Sequence, residues 1–265
     1  MKKFVWALVA ALALASCSSP LGSDIEPKVA LENAEARALG TAKIKLSKVT
    51  SYVHTKYGMG QLQRNIEILV ADLSFEKEVV VAHQGLDGTW TDYPAAYQST
   101  LPDGTEVWTA YLQEMYPTLG TRFALRYTTP QGTWWDNNGG QDYNIEKNIG
   151  TWLAADTNVR LESGFAYSVL YGMIDVRNLA PTKTVEIIWT ADNWNTIKVT
   201  PAVFVGPSYY YGYSTTLSPN AYGIEKWSFN VDLEGATNVE YAISYNVAGK
   251  NYWDNNFGRN YKIVR

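Results

Sequence analysis

The chain has 265 residues and a formal net charge of −4, with 10 tryptophans and 19 tyrosines but only 7 phenylalanines. This length is enough for two domains of ordinary size. The mild acidity argues against nucleic acid and against an anionic membrane surface as partners. Tyrosine and tryptophan combine an apolar face with a polar edge, so their surplus suits exposed contact surfaces as well as a core.

The N-terminus has the pattern of a secretory signal peptide. Met1–Lys3 is basic, and Phe4–Ala15 is an apolar run that is too short to span a bilayer but suits the middle of a signal peptide. The only cysteine, Cys17, follows directly after the small residues that end this run. An ordinary signal peptide with an incidental cysteine is one interpretation.

The segment Leu14-Ala-Ser-Cys17 also resembles the bacterial lipoprotein processing box. That resemblance implies that residues 1–16 are a lipoprotein signal peptide and that Cys17 is acylated. It further implies an exported protein anchored to the cell envelope, and Ser18 after the cysteine implies delivery to the outer membrane. With Cys17 used by the lipid, no disulfide is available, so core packing is expected to hold the fold.

Residues 17–40 are polar, rich in Ala and Glu, and bounded by Pro and Gly, which predicts a tether. From Lys43 onward, short alternating or β-branched runs are separated by Gly, Asn, Asp and Pro. This punctuation predicts an all-β chain.

The two halves of the chain repeat a series of short motifs in the same order. The matching pairs are 72–79 with 178–185, 122–127 with 240–245, and 132–139 with 249–256. A fixed order of matching elements indicates duplication of one fold. We therefore predict a first module at 41–150 and a second at 156–265.

The tetrapeptide Trp-Asp-Asn-Asn begins at Trp135 and again at Trp253. Asn and Asp favour tight turns, so a hairpin turn is one interpretation. A second follows from sugar chemistry, because an aromatic ring receives the C–H face of a neutral sugar while side-chain amides bind its hydroxyls. The residues that fit this second interpretation are Trp135, Asn137 and Asp142, then Trp253, Asn255 and Asn260.

The other tryptophans divide by context. Trp90 and Trp194 lie in polar turns, which predicts exposed contact residues or, alternatively, loop anchors folded onto the sandwich edge. Trp108 and Trp227 lie in strand-like runs and are predicted to be core residues.

These motifs together resemble the starch-binding carbohydrate-binding module of family 21, over residues 65–146 and 167–263. The family pattern has an Asn/Asp-Leu/Ile-Ala/Ser-x-x-Lys-x-Val stretch, a turn ending in Asp-x-Trp, and a closing (Tyr/Trp)-Asp-Asn-Asn-x-x-x-Asn-Tyr. The resemblance implies two tandem immunoglobulin-like antiparallel β-sandwich modules. It also implies non-catalytic binding of α-glucans such as starch, glycogen and maltooligosaccharides, without a cofactor.

The resemblance also implies roles for individual residues. It places the stacking rings at Trp90 and Trp135, then at Trp194 and Trp253. It places supporting polar contacts at Asp72, Lys77, Asn137 and Asp142, then at Asn178, Lys183, Asn255 and Asn260. Asp72 and Asp142 depart from the usual Asn and cannot donate hydrogen bonds when ionised.

A second sugar site of the family uses an aromatic residue that falls on Phe75 in the first module. The matching position in the second module is Pro181. We expect Tyr209, Tyr210, Tyr211 or Tyr213, from the aromatic insertion of the second half, to replace the missing ring.

Two other classes of function compete with glucan binding. A glycoside hydrolase needs two carboxylates about 5–10 Å apart, and the repeated acids Asp136 and Asp254 have no recurring acidic partner. Two histidines and no free cysteine disfavour a transition-metal site, so no catalytic residue and no metal are predicted. A structural or protein-interaction lipoprotein that docks an envelope partner, such as an amylase or a transporter, is the remaining alternative.

Overall fold

The computed structural model describes residues 39–56, 59–115, 120–146, 150–210 and 213–264. Cys17, the signal peptide 1–16, nearly all of the tether 17–40 and Tyr211 lie outside these ranges. The described chain consists of antiparallel strands with one short 3-10 helix at Asn138–Gly140. The predicted all-β fold class is therefore confirmed. None of the described residues forms a helix long and apolar enough to cross a membrane.

The described residues of the N-terminal half form ten strands. They are β1 (Ile44–Lys56), β2 (Met59–Ala71), β3 (Glu78–Gln84), β4 (Trp90–Pro94), β5 (Ala96–Thr100), β6 (Thr105–Met115), β7 (Thr121–Thr129), β8 (Gly132–Asp136), β9 (Tyr143–Ile145) and β10 (Thr151–Leu153). Eleven strands are formed by the described part of the C-terminal half. They are β11 (Val159–Ala166), β12 (Val169–Arg177), β13 (Lys183–Thr190), β14 (Lys198–Pro201), β15 (Val203–Val205), β16 (Ser208–Tyr210), β17 (Tyr213–Thr216), β18 (Ile224–Asp232), β19 (Asn238–Val247), β20 (Lys250–Asp254) and β21 (Tyr261–Val264).

The N-terminal strands form a sandwich around one apolar core. One sheet has the order β10-β1-β2-β6-β5, and the other has the order β4-β3-β7-β8 with β9 also pairing with β7. Alternate residues of both sheets point inward, for example Ile66 and Ile68 from β2 and Phe123 and Leu125 from β7. β10 pairs with β1 and so extends this N-terminal sandwich three residues beyond the predicted module end at 150.

The C-terminal strands form a second sandwich. Its sheets have the orders β11-β12-β18-β15 and β14-β13-β19-β20, with β21 pairing with β19. Ile174 from one sheet and Ile187, Tyr241 and Ile243 from the other meet in its core. β16 and β17 form a separate hairpin that carries Tyr209 and Tyr210.

The two sandwiches contact each other through charged side chains. The Arg160 guanidinium donates to Glu67 Oε1 at 2.9 Å, and Lys48 Nζ donates to the Leu161 carbonyl at 3.2 Å. Lys226 Nζ donates to Asp175, whose other carboxylate oxygen accepts from the Thr151 hydroxyl at 2.9 Å. Buried charges are tolerated when they are paired and hydrogen-bonded, which fits a fixed contact between the sandwiches.

Phe257 contributes an aromatic ring to the same contact. Its ring centroid lies 4.1 Å from the Arg160 guanidinium carbon, and the ring packs beside a small apolar cluster of Leu69, Leu101 and Val107. Phe257 has φ 55°, and the matching position of the N-terminal sandwich is Gly139 with φ 67°. A left-handed backbone costs a bulky residue about 1–2 kcal/mol, so the surrounding contacts hold Phe257 in place.

Candidate functional site

The β8 strand directs two neighbouring tryptophans to opposite sides of its sheet. Trp134 lies opposite Tyr127, and their ring centroids are 5.4 Å apart at the edge of the core. Trp135 lies opposite Arg126, on the outer face, and is 52% exposed. The Arg126 guanidinium carbon is 5.7 Å from the Trp135 ring centroid, and Arg126 also pairs with Asp92 at 2.7 Å. The outer ring is therefore open to solvent on one side and supported on the other.

Trp90 lies on the same outer face as Trp135. Trp90 is the first residue of β4 and lies opposite Gln84 on β3. Trp135 on β8 lies opposite Arg126 on β7, and Arg126 in turn lies opposite Val80 on β3. Gln84 and Val80 are an even number of residues apart, so their side chains share a face. Trp90 is 46% exposed. The two rings therefore belong to one continuous face, which we call the N-terminal tryptophan face.

Arg122 links Trp90 to Asp142. Its guanidinium carbon is 5.9 Å from the Trp90 ring centroid, and its Nε and Nη2 donate to Asp142 Oδ2 at 3.0 and 2.8 Å. Asp142 thus acts as an acceptor for a protein arginine. Arg122 and Arg126 were not predicted as site residues, and both come from the repeated 122–127 motif.

The matching rings of the C-terminal sandwich are less exposed. Trp253 lies opposite Ser244 on the outer face and is half-buried. Trp194 is also half-buried, has φ 67°, and its indole Nε1 donates to Glu240 Oε2 at 2.9 Å. Sequence reasoning treated the four tryptophans as equivalent, whereas their exposures differ between the halves.

The Glu240 carboxylate holds the Trp194 ring by accepting its indole N–H. Burial opposes ionisation of Glu240, but hydrogen bonds from Lys262 and Trp194 outweigh it and lower the pKa of this carboxyl. The side chain of Asn260 also bonds to Glu240, while Asn260 Oδ1 is buried without a hydrogen-bond partner among the described residues.

The amides of the Trp-Asp-Asn-Asn motifs cap their own turns. Asn137 Oδ1 accepts from the Gly140 N–H at 3.0 Å, and Asn255 Oδ1 accepts from the Gly258 N–H at 2.9 Å. Asn137 is partly exposed, but Asn255 is 0% exposed. The expectation that Asn255 reaches a sugar directly does not fit this burial, so we leave Asn255 out of the proposed contact surface.

The aspartates of the same motifs have structural partners. Asp136 Oδ2 accepts from the Leu46 N–H at 2.7 Å and from the Tyr143 hydroxyl at 2.8 Å. Asp254 Oδ2 accepts from the Leu161 N–H at 2.6 Å and from the Tyr261 hydroxyl at 2.7 Å. Burial and the neighbouring carboxylate raise the pKa of both tyrosines, which keeps each hydroxyl a donor. Each aspartate thereby ties its closing turn to the first strand of the same half.

The predicted polar residues of the upstream motif form ion-pair clusters that bridge the two sheets. Lys77 Nζ donates to Asp72 Oδ1 at 2.6 Å and to Glu106 Oε1 at 2.8 Å. Glu106 also accepts from the indole of Trp108 at 2.9 Å. The Lys77 side chain is only 7% exposed, and its charge is paired with Asp72 and Glu106 within the protein.

The C-terminal half repeats this cluster. Lys183 donates to Asn178 and to Glu225 Oε1 at 2.8 Å, and Glu225 accepts from the indole of Trp227 at 3.1 Å. The sequence analysis did not identify Glu106 or Glu225, although each stands two residues before a tryptophan.

Trp108 and Trp227 pack partly buried against their cores, as predicted. Of the second-site residues, Phe75 is 100% exposed, and Tyr209 and Tyr210 lie on β16.

Residues 154–264 match the family described as Carbohydrate/starch-binding module (family 21). Residues 1–18 match the family described as Prokaryotic membrane lipoprotein lipid attachment site. The predicted resemblance to family 21 is thus confirmed for the C-terminal half, and the predicted lipid attachment site is confirmed at the N-terminus.

Similar proteins include regulatory subunits and a glucoamylase. Protein phosphatase 1 regulatory subunit 3B of Xenopus tropicalis is 32% identical over 102 residues, which are 36% of this chain and 30% of that protein. Glucoamylase 1 of Rhizopus oryzae is 33% identical over 114 residues, which are 42% of this chain and 17% of that protein. The chain therefore spans less than a third of the length of these curated relatives.

Two solved structures are also similar. The starch binding domain of Rhizopus oryzae glucoamylase, in complex with beta-cyclodextrin and maltoheptaose, is 27% identical with a TM-score of 0.33, and the match covers 43% of this chain and 99% of that chain. The carbohydrate binding module of the muscle glycogen-targeting subunit of Protein Phosphatase-1 is 26% identical with a TM-score of 0.32, covering 40% of this chain and 75% of that chain.

Proposed function

We propose that this protein binds α-glucans at the cell envelope without acting on them chemically, held there by a lipid on Cys17. The observation that carries the proposal is the N-terminal tryptophan face. Trp90 and Trp135 are 46% and 52% exposed on one side of one sheet, in a chain whose C-terminal half matches a carbohydrate/starch-binding module. The lipid attachment match at residues 1–18 supports the anchored location, and we place the protein at the outer membrane.

The binding step on this face is stacking of glucose rings on the two indoles. An exposed indole offers apolar area that a sugar C–H face removes from water, at little conformational cost because the ring is already supported. Arg126 and Arg122 lie beside the rings, where their N–H groups can donate to sugar hydroxyls. Asn137 adds an amide at the turn that follows Trp135.

We further propose that both halves are family 21 modules and that each binds glucan. Trp194 and Trp253 are half-buried, so the C-terminal site offers less ring area than the N-terminal one. Two sites on one chain raise the avidity for a polymer by about 10²–10⁴ when both are engaged together.

Affinity electrophoresis of the mature chain tests this function. Cys17 is replaced by Ser to keep the protein in solution, and soluble starch is included in the gel. We expect starch to retard the parent chain, and we expect the Trp90→Ala, Trp135→Ala double variant to lose most of that retardation. Tyr97→Ala is the matched control, because Tyr97 is 51% exposed but lies on the edge strand of the other sheet.

Equal mobility of the parent chain with and without starch would contradict the proposal. That result would instead favour the alternative in which the same sandwiches dock an envelope protein.

A further inference from the structure

The outer face of the β11-β12-β18-β15 sheet is covered over one half and open over the other. Arg160, Asp175 and Lys226 form one row across this face and are 5%, 0% and 5% exposed, because the N-terminal sandwich covers them. Farther along the same strands, Phe165 pairs with Tyr171 and is 64% exposed, and Tyr171 is 46% exposed. The face thus changes from buried charges to open aromatic rings where the N-terminal sandwich ends.

The open rings point away from the core of their sandwich. Leu170 and Ile174 on β12 are core residues. Tyr171 is one residue from Leu170 and three from Ile174, so its side chain points to the opposite, outer face. Tyr171 lies opposite Asn230 on β18, and residues directly opposite each other share a face. An aromatic ring and an exposed amide therefore stand side by side.

The N-terminal sandwich contributes a ring at the border of this open area. Val49 on β1 is a core residue, so Tyr52 faces outward, and it is 44% exposed. Tyr52 lies opposite Gln63 on β2, which repeats the pairing of a ring with an amide. Tyr52 lies two residues beyond Thr50 on β1, and Thr50 pairs with Thr151, whose hydroxyl donates to Asp175 of the buried charged row at 2.9 Å. Burial and the charge of Glu162 raise the pKa of Tyr52.

The charges below this border are neutralised within the protein. Lys226 Nζ contacts both Asp175 and Glu162, the latter at 2.9 Å. The groups at the border include phenol, phenyl and amide groups, and the exposed Asp232 carboxylate lies two residues beyond Asn230 on the same face. This combination suits a neutral ligand that has apolar ring faces and many hydroxyls.

We propose that Tyr52, Phe165 and Tyr171, with Gln63 and Asn230, form a third α-glucan-binding surface at the seam between the two sandwiches. It rests on the proposed function for its choice of ligand. Unlike the tryptophan sites, it requires both sandwiches, since neither half supplies all of its rings. It extends the contact with a polymer beyond the tryptophan-bearing sheets.

The seam surface is tested with the Tyr52→Ala, Tyr171→Ala double variant of the mature chain. We expect retardation by soluble starch to weaken roughly tenfold, as for the loss of one of several linked contacts. The Tyr52→Phe, Tyr171→Phe double variant keeps the rings and should retain most of the binding. Urea unfolding midpoints equal to that of the parent chain show that the fold is intact.

A second background separates this inference from the proposed function. In the Trp90→Ala, Trp135→Ala chain, the seam changes should remove much of the residual starch binding. If the parent chain binds starch and the seam changes have no effect in either background, the inference alone is overturned. If the parent chain does not bind starch, both proposals fail. Loss of capture of an envelope protein, with starch binding unchanged, would assign the surface to a protein partner and also overturn the inference.

Discussion

Two adjacent residues, Trp134 and Trp135, show how strand geometry separates stability from binding. The first packs against Tyr127 at the core and the second stands on the outer face. Their identity as tryptophan gives no hint of this difference. The register of β8 against β7 decides it, because successive side chains of a strand point to opposite faces.

The two tryptophans should therefore respond differently to truncation. Trp134→Ala is expected to lower the free energy of unfolding by about 3 kcal/mol, because it leaves a cavity at the core. Trp135→Ala should change it by no more than about 0.5 kcal/mol, as for a surface substitution. Urea unfolding followed by circular dichroism measures both. A Trp135→Ala chain as unstable as Trp134→Ala would show that the outer ring is a structural residue.

At the scale of the strand and turn, the repeated motifs could be predicted well because they are local. Turn formation at Trp-Asp-Asn-Asn follows from the backbone preferences of Asn and Asp. The role of Lys183 could not be predicted, because it depends on a partner brought from elsewhere in the fold. Glu225 reaches Lys183 from the opposite sheet, 42 residues away in sequence. Pairing across the sandwich is a tertiary property that a short motif does not encode.

The Lys183–Glu225 pair provides a test of this bridging role. The two side chains are 4% and 9% exposed. Lys183→Met leaves a buried carboxylate without its ammonium partner, which is expected to cost about 3–5 kcal/mol. The Lys183→Met, Glu225→Leu double variant should recover much of that loss, because no charge is left buried. Thermal unfolding of both variants measures the difference. Equal destabilisation by the two would show that the charges are not coupled.

At the scale of the whole molecule, the contact between the sandwiches predicts a specific acid sensitivity. Burial pushes the pKa of Glu67 up, but Arg160, Lys48 and Ser47 outweigh it and hold the pKa below the ordinary value of 4.5. A lowered carboxyl pKa stabilises the fold above the unfolded pKa, and this stabilisation is lost as the pH falls through the folded pKa.

We therefore expect the Glu67→Gln variant to be about 2 kcal/mol less stable than the parent chain at pH 7, since it loses hydrogen bonds between charged groups. The difference should shrink as the pH falls below about 4.5, where the parent loses the same interaction. Urea unfolding across this pH range measures it, with exposed Glu76→Gln as the control. A constant difference at every pH would exclude the Glu67 carboxylate as its source.

Phe257 has a left-handed backbone, and its ring makes the C-terminal half depend on contacts with the N-terminal half. Gly139, at the matching position, has the same left-handed backbone without a side chain, and nothing lies within 4 Å of where a side chain would begin. At 257 the ring contacts Arg160 of its own half and packs beside the apolar cluster of the N-terminal half. Transplanting residues 156–265 alone onto another scaffold would keep Arg160 beside the ring but remove Leu69, Leu101 and Val107, while keeping the unfavourable backbone. The Phe257 ring thus ties the C-terminal half to the N-terminal half through Leu69, Leu101 and Val107.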